Sequence, residues 1–292
     1  MKKFLILKIY ILLAIIIASC AGTKIKREGD QFLWEVTSNK ATVYLLGTIH
    51  AADSSLYPMS KEIMNAFEKS DYLVLEADVT KADPMALVQT MTYQDGTTLK
   101  DKLSEETYAK LKKFFEDHDV PEMFFQKMKP WGAVIFLMTL EMQQEGISEE
   151  YGIDRHFQTK NVDKKVLELE SVEEQIEILQ SFDEVGDDYI EYTIETMGES
   201  TGQMKEMIGY WRAGNDEALL ELINEPVEEY PGYAKFLDKM LRQRNERMAE
   251  KIKGYLASGG TYFVTVGAGH LIGEDSIIRI LADTGDYEIV RK

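Results

Sequence analysis

Two strings built alike sit near opposite ends of the chain: YLLGTIH, ending at His50, and YFVTVGAGH, ending at His270. In each, a run of β-branched and aromatic residues stops at a glycine, and a histidine follows three residues later. A strand that ends in such a turn leaves its histidine at the rim of a sheet. Open parallel sheets hold ligands in the crevice beyond the carboxyl ends of their strands, so two rim histidines far apart in sequence can meet there. Two further apolar runs end in acids, YLVLEAD at Glu76 to Asp78 and KKVLELE at Glu170. Imidazole and carboxylate together suit zinc, manganese, iron or cobalt, and two histidines with one or two acids leave a coordination position open for water. Such an ion lowers the pKa of that water to about 7, which makes a nucleophile near neutrality.

On this reading His50 and His270 bind a divalent ion, and Glu76 is a third ligand or the base that takes a proton from water. Glu170 is a second candidate for proton transfer, although the helix cap beside it also explains a polar residue there. Asp53 and Asp154 are candidates to orient a histidine by a hydrogen bond behind it, and loop capping is the ordinary alternative for Asp53. Arg244 lies in a long amphipathic segment. There it is either a surface ion-pair residue or, if its helix covers the crevice, a group that steadies an oxyanion. His156 reads as a solvent or intersegment contact and His118 as a structural residue at a helix end. The chain has no GxSxG, HExxH, P-loop or dinucleotide fingerprint.

The elements that must position these groups follow from periodicity. FLWEV and TVYLLG, separated by Ser38 to Ala41, read as an N-terminal β-hairpin. Ser60 caps a helix with Ile63, Met64 and Phe67 on one face. YLVLEAD, KKVLELE and TYFVTVG are continuous apolar runs of the buried parallel-strand type. Ser104 with Glu105 and Glu106 opens a helix, Trp131 to Met142 is a buried helix, and Ser171 with Glu174 forms a capping box. Together these predict an α/β fold: a central mixed, largely parallel sheet with an N-terminal β-hairpin and a large helical insertion. The expected divisions are residues 1–19 as a signal peptide, 20–30 as a lipidated N-terminus with a flexible basic tether, and 31–292 as one domain. Helical insertions fall at about 82–146 and 172–258.

Lys2 and Lys3 precede an apolar run that closes on Ile17-Ala18-Ser19-Cys20, a pattern of secretory signals that is too short for a typical span of about 20 residues. Small residues before Cys20, the chain's single cysteine, are similar to a bacterial lipobox, in which the cysteine is lipidated and anchors the protein to a membrane facing outside the cytoplasm. One cysteine also excludes an intramolecular disulfide and a multi-thiolate metal site. The formal charge of −18 becomes −21 once the three lysines of residues 1–19 are removed. So acidic a surface excludes nucleic acid as the natural partner, because phosphates require cationic neutralisation.

The ordered set LWEV, YLLGTIHAADSSLYP, LVLEAD, KPW, GIDRHF, LELESVEEQ, WRAGN, RN and FVTVGAGHLIGEDSI resembles the TraB/GumN family, whose relatives include the Tiki membrane-tethered metalloproteases. The family's paired GxxH elements correspond to Gly47 through His50 and Gly267 through His270, and its acidic strand end to Glu76. The resemblance implies an α/β fold like that of erythromycin-esterase and ChaN-type proteins, a metal-dependent site, and peptide-bond hydrolysis with manganese or cobalt. Asn215 in WRAGN stands where many relatives carry aspartate. Three functions follow as expectations: a lipid-anchored metallopeptidase acting on a peptide or protein substrate, a metal-independent esterase with a histidine base, and an envelope protein that binds peptide or haem without turnover.

Overall fold

Alternation and apolar runs become seven strands: β1 (Lys26–Arg27), β2 (Leu33–Thr37), β3 (Ala41–Thr48), β4 (Tyr72–Leu75), β5 (Lys165–Glu168), β6 (Gly260–Gly267) and β7 (Glu288–Arg291). The computed structural model describes residues 23–81, 83–181, 193 and 202–292. The signal-peptide run and Cys20 therefore lie outside the described residues. The strands form one sheet in the order β1-β7-β2-β3-β6-β4-β5. The β2–β3 hairpin and the β2–β7 pair are antiparallel, whereas β3–β6, β6–β4, β4–β5 and β1–β7 run parallel. This is the expected α/β architecture with a mixed, largely parallel sheet.

The central strands are buried on both faces, which is why they read as continuous apolar runs rather than alternating ones. Val43, Leu45, Leu46, Phe263, Val264, Val266, Leu73 and Val74 all belong to one core. Helices cover the faces: α1 (Lys61–Lys69), α2 (Pro84–Thr90), α3 (Glu105–Asp117), α4 (Glu122–Phe125), α5 (Pro130–Gln144), α6 (Ile153–Lys160), α7 (Val172–Gln180), α8 (202–213), α9 (Asp216–Glu229), α10 (Pro231–Leu237), α11 (Gln243–Ser258) and α12 (Ile277–Ala282). Ser60 and Ser104 cap α1 and α3 through the N–H groups of Ile63 and Thr107. Ser171 and Glu174 close the capping box of α7. These are the caps the sequence predicts, each satisfying helix-start donors that have no intrahelical partner.

Within the first helical insertion, Leu99, Tyr108, Leu111, Phe115, Phe125, Ala133 and Leu137 form a second, smaller core. Among the described residues no helix is long and apolar enough to cross a membrane. Two expectations need correction. KKVLELE, expected to be a buried strand, becomes β5 at the sheet edge, with Lys165 and Val166 exposed because no strand lies beyond it among the described residues. The tether read from Lys24 to Gly29 is partly ordered, because Lys26 and Arg27 pair with Val290 and Arg291 of β7 at the sheet edge.

Candidate metal centre

The β3–β6 register determines the site. Gly47 lies beside Val266 and Thr48 beside Gly267, so both GxxH turns leave the sheet at the same rim. The β4–β5 ladder likewise runs on past its strand ends, with Leu169 N–H donating to Leu75 O (2.9 Å) and Glu170 N–H to Glu76 O (2.8 Å). Because β6 lies between β3 and β4, the four strand ends deliver His50, His270, Glu76 and Glu170 to one crevice.

Gly267 measures how closely they converge. A Cβ placed on this residue would stand 3.5 Å from His50 Nε2, 3.5 Å from His270 Cδ2 and 3.7 Å from Glu76 Oε2. The two imidazoles and a carboxylate oxygen therefore border one small space, His50 Nε2 and His270 Cδ2 lying no more than about twice 3.5 Å apart. His270 Nε2 is 3.9 Å from Glu76 Oε2. Among the described residues, no group of three or more histidine, cysteine, aspartate or glutamate side chains is arranged so that it could hold a metal ion.

Each donor is held from behind. His50 Nδ1 pairs with Asp154 Oδ2 at 2.8 Å, and Thr48 Oγ1 donates to the other oxygen of Asp154 at 2.8 Å. Asp154 is delivered by the start of α6, where Ile153 N–H donates to Ile49 O at 3.0 Å and Gly152 packs on the carbonyl of His50. A Cβ at Gly152 would fall 2.2 Å from that oxygen, although φ is an ordinary −63°. Gly152→Ala should therefore push α6 away and separate Asp154 from His50. We expect a loss of about 1–3 kcal/mol in urea unfolding, and a fall of the His50 pKa toward 6.5 in an NMR titration of the metal-free protein.

His270 is buried, and its Nδ1 lies 2.6 Å from Asn245 Oδ1. Asn245 Nδ2 donates to Asp275 O at 2.8 Å, which fixes the amide so that Oδ1 faces the ring as an acceptor. His270 therefore carries its proton on Nδ1 and presents a bare Nε2 lone pair to the crevice. Burial, helped by the charges of Arg244 and His50 and opposed by Glu76, lowers its pKa to about 4. His50 behaves oppositely. Its side chain is 65 % exposed, and the Asp154 carboxylate paired with Nδ1 raises its pKa to about 9.

Glu76 is buried, which works against its charge, yet His270, Arg244, His50 and the Gly267 N–H outweigh burial and hold it well below the usual carboxylate range. Its Oε2 accepts from Gly267 N–H at 2.9 Å. Its Oε1 accepts from Gln175 Nε2 at 2.9 Å and from Arg244 Nη2. Arg244 also grips Glu170, with Nε 3.2 and 2.9 Å from the two oxygens and Nη2 2.7 Å from Oε2. Its Nη1 donates to Met240 O.

Two roles read from sequence change accordingly. Arg244 is neither a surface residue nor an open oxyanion donor; it is 4 % exposed and spends its fork on two buried carboxylates. Glu170, with both oxygens on Arg244, is built to hold that arginine rather than to carry a proton to a leaving group. Asp53 caps its own turn through Ser55 N–H at 2.7 Å, leaving Asp154 as the acid behind His50. His118 accepts its structural role, with Nδ1 2.8 Å from Phe114 O. His156 is half-buried against Tyr57 at 4.7 Å between ring centroids. Asn215 caps α9 through Ala218 N–H at 3.1 Å, a task that asparagine and aspartate perform equally well.

Asn245 and Gln175 had no assigned role in the sequence reading. Gln175 carried a usable signal, since it occupies the first turn of the helix that starts immediately after Glu170.

The chain as a whole has relatives among known proteins. The chain is 25 % identical to "Uncharacterized protein YbaP" of Escherichia coli (strain K12), over 82 % of this chain and 87 % of that protein. It is 22 % identical to "Metalloprotease TIKI2" of Danio rerio, over 90 % of this chain but 61 % of the longer relative. An uncharacterized protein of Treponema pallidum (strain Nichols) is 19 % identical over 86 % of this chain and 80 % of its own length. No solved structure matches the chain. A family model matches residues 32–289, a range that holds both histidine turns, both acidic strand ends and the Arg244-Asn245 helix; the chain belongs to the TraB/PrgY/gumN family.

Proposed function

We propose that this protein is a divalent-metal-dependent hydrolase of peptide bonds, held by lipid on Cys20 to a bacterial membrane and facing outside the cytoplasm. The observation that carries the reading is the convergence of His50 Nε2, the His270 ring and Glu76 Oε2 on the space that a Gly267 side chain would fill. The donor set fits an ion such as manganese, cobalt or zinc: each imidazole is fixed through Nδ1 by an oxygen acceptor, the arrangement typical of metal-bound histidine. The TIKI2 relatives are named metalloproteases, which supports both the ion and the bond cleaved. The apolar run ending at Cys20 supports the anchor.

His50, His270 and Glu76 would hold the ion, which supplies a water acidified toward neutral pH and a polarised carbonyl. The chain's own groups set the conditions. Asp154 and Asn245 orient the rings, while Arg244, Gln175 and Gly267 N–H keep Glu76 ionised. The missing Cβ of Gly267 leaves room for the reacting atoms.

The opposite pKa shifts of the two rings predict a proton count. At pH 7 His50, with a pKa of about 9, is protonated, whereas His270, with a pKa of about 4, is not. An ion that takes both rings must therefore displace close to one proton at pH 7, about half a proton at pH 9 and close to none above about pH 10. Apparent affinity should rise about tenfold per pH unit near pH 7 and level off as pH passes 9. Calorimetry in buffers of different ionisation enthalpy reads the number directly.

A second reading rests on the same split. Two imidazoles driven apart in pKa form an acid and base pair, His50 as donor and His270 as acceptor, suited to metal-independent ester hydrolysis. The deciding experiment uses the mature chain purified without a chelating tag, its metal content, and turnover of peptide and ester libraries with and without chelator. The primary reading predicts about one bound ion per chain and peptide cleavage that chelator abolishes and manganese or cobalt restores. Ester turnover indifferent to chelator would favour the second reading, and a metal-free chain inert on every substrate would refute both.

A further inference from the structure

Beside the crevice lies a second concavity of about 600 Å³, between α7 and the helix turn that leads into α11. Its walls include Glu174, Glu177, Lys239, Gln243 and Arg247. These walls are the same two helices that bind the carboxylates at the crevice: Gln175, next to Glu174, donates to Glu76, and Arg244, one turn before Arg247, pairs with Glu76 and Glu170.

The cations in the groove are not equally committed. Arg244 is consumed by Glu76 and Glu170, but Arg247 is 49 % exposed. Its contact to Glu170 is one long bond, Nη2 to Oε1 at 3.4 Å. Glu170 is already satisfied by Arg244 at 2.7 and 2.9 Å, so with respect to the described residues Arg247 retains most of a planar fork for another carboxylate. The five-residue π-helical turn Asp238–Arg242 sets this arrangement, because it precedes α11 and carries Lys239 into the groove wall. Such turns recur at functional sites. Of the two acids present, Glu174 spends Oε2 on the Ser171 N–H of its capping box at 2.7 Å. Glu177 offers an acceptor for a substrate N–H on the α7 side of the groove.

We infer that this groove is a substrate subsite in which Arg247 receives a peptide carboxylate, either an acidic side chain or a free C-terminus. The inference rests on the hydrolase reading and adds the substrate's chemical class to it. The overall field cannot produce the same selectivity, since a chain of net charge −18 attracts basic peptides and repels acidic ones. A preference for acid must be local.

The test separates binding from turnover. Three fluorescein-labelled octapeptide pools are titrated onto the chelator-treated full mature chain by anisotropy: glutamate-containing with an amidated C-terminus, glutamine-containing with a free C-terminus, and glutamine-containing with an amidated C-terminus. At least one carboxylate pool should bind about tenfold more tightly than the neutral pool; whichever does so identifies the source of the carboxylate. Arg247→Ala should bring the pools within twofold of one another, and Arg247→Lys should keep part of the preference. Equal binding of all three pools, or a preference that survives Arg247→Ala, would overturn the subsite. Restoring metal and assaying cleavage of the same pools tests the hydrolase reading separately: acid-selective binding without cleavage removes catalysis and leaves the subsite standing.

Discussion

Arg244→Ala should cost about 3–5 kcal/mol of unfolding free energy, the largest stability effect expected of any polar substitution in this chain. Arg244 joins two carboxylates whose side chains are 8 % and 1 % exposed, Glu76 and Glu170. Removing it leaves two like charges buried on adjacent strand ends. Glu76 keeps Gln175, Gly267 N–H and the nearby His50 charge, and among the described residues Glu170 keeps the 3.4 Å contact to Arg247, so both are only partly compensated. The pH dependence identifies the cause. Glu76 is depressed in the folded protein, so its contribution is present above its ordinary pKa of 4.5 and lost as pH falls below it. The deficit of Arg244→Ala should thus be greatest above pH 5 and narrow in acid. In urea unfolding, Glu76→Gln combined with Glu170→Gln should recover part of the loss in the Arg244→Ala background. A deficit that is flat with pH and unmoved by those changes would mean that Arg244 acts through packing alone.

Gly267→Ala should have the opposite profile, with little change in stability and a loss of metal binding and hydrolysis of at least about a hundredfold. The estimate is conservative, because removing a group merely behind a ligand already costs about 10–100-fold. At φ −49° and ψ 138° the backbone suits alanine. The added methyl would meet its nearest neighbours at 3.5 to 3.7 Å, which is ordinary contact and no clash. Melting should shift by no more than about 1 kcal/mol, in either direction. Yet those neighbours are His50 Nε2, the His270 ring and Glu76 Oε2, so the methyl occupies the space the reaction needs. His50→Ala is the companion variant: with its side chain 65 % exposed it should also fold normally and lose the ion. Metal stoichiometry, melting temperature and peptide turnover on the same preparations check both. A Gly267→Ala protein that binds metal and turns over normally would show that the convergence has no catalytic meaning.

The parts of the architecture readable in advance were those governed by local chemistry. Strands ended where glycine or acid interrupted apolar runs, and Ser60, Ser104 and Ser171 capped helices as their neighbours dictated. Pairing was less accessible, since register depends on which surfaces meet. Lys26 and Arg27 looked like tether because their partner, β7, lies at the other end of the chain. Arg244 shows the same limit: an amphipathic pattern marks a buried face without saying what the face covers, so an arginine beneath the sheet rim reads like one in solvent. Asp53 and Asp154 are a further case. Asp53 is nearer to His50 in sequence, but Gly152 and the Ile153–Ile49 hydrogen bond bring Asp154 to the ring. The histidine pair itself was visible because one local pattern occurred twice; its convergence required β6 to lie beside β3 in register.

The central claim is that one ion is shared by side chains from both histidine turns and the Glu76 strand end. Anomalous diffraction from crystals of the mature chain grown with manganese, cobalt or zinc tests it most directly. A single strong peak is expected within about 2.0–2.3 Å of His50 Nε2, His270 Nε2 and a Glu76 oxygen. Crystals in which the ion binds elsewhere, with both imidazoles unligated beside Gly267, would contradict it.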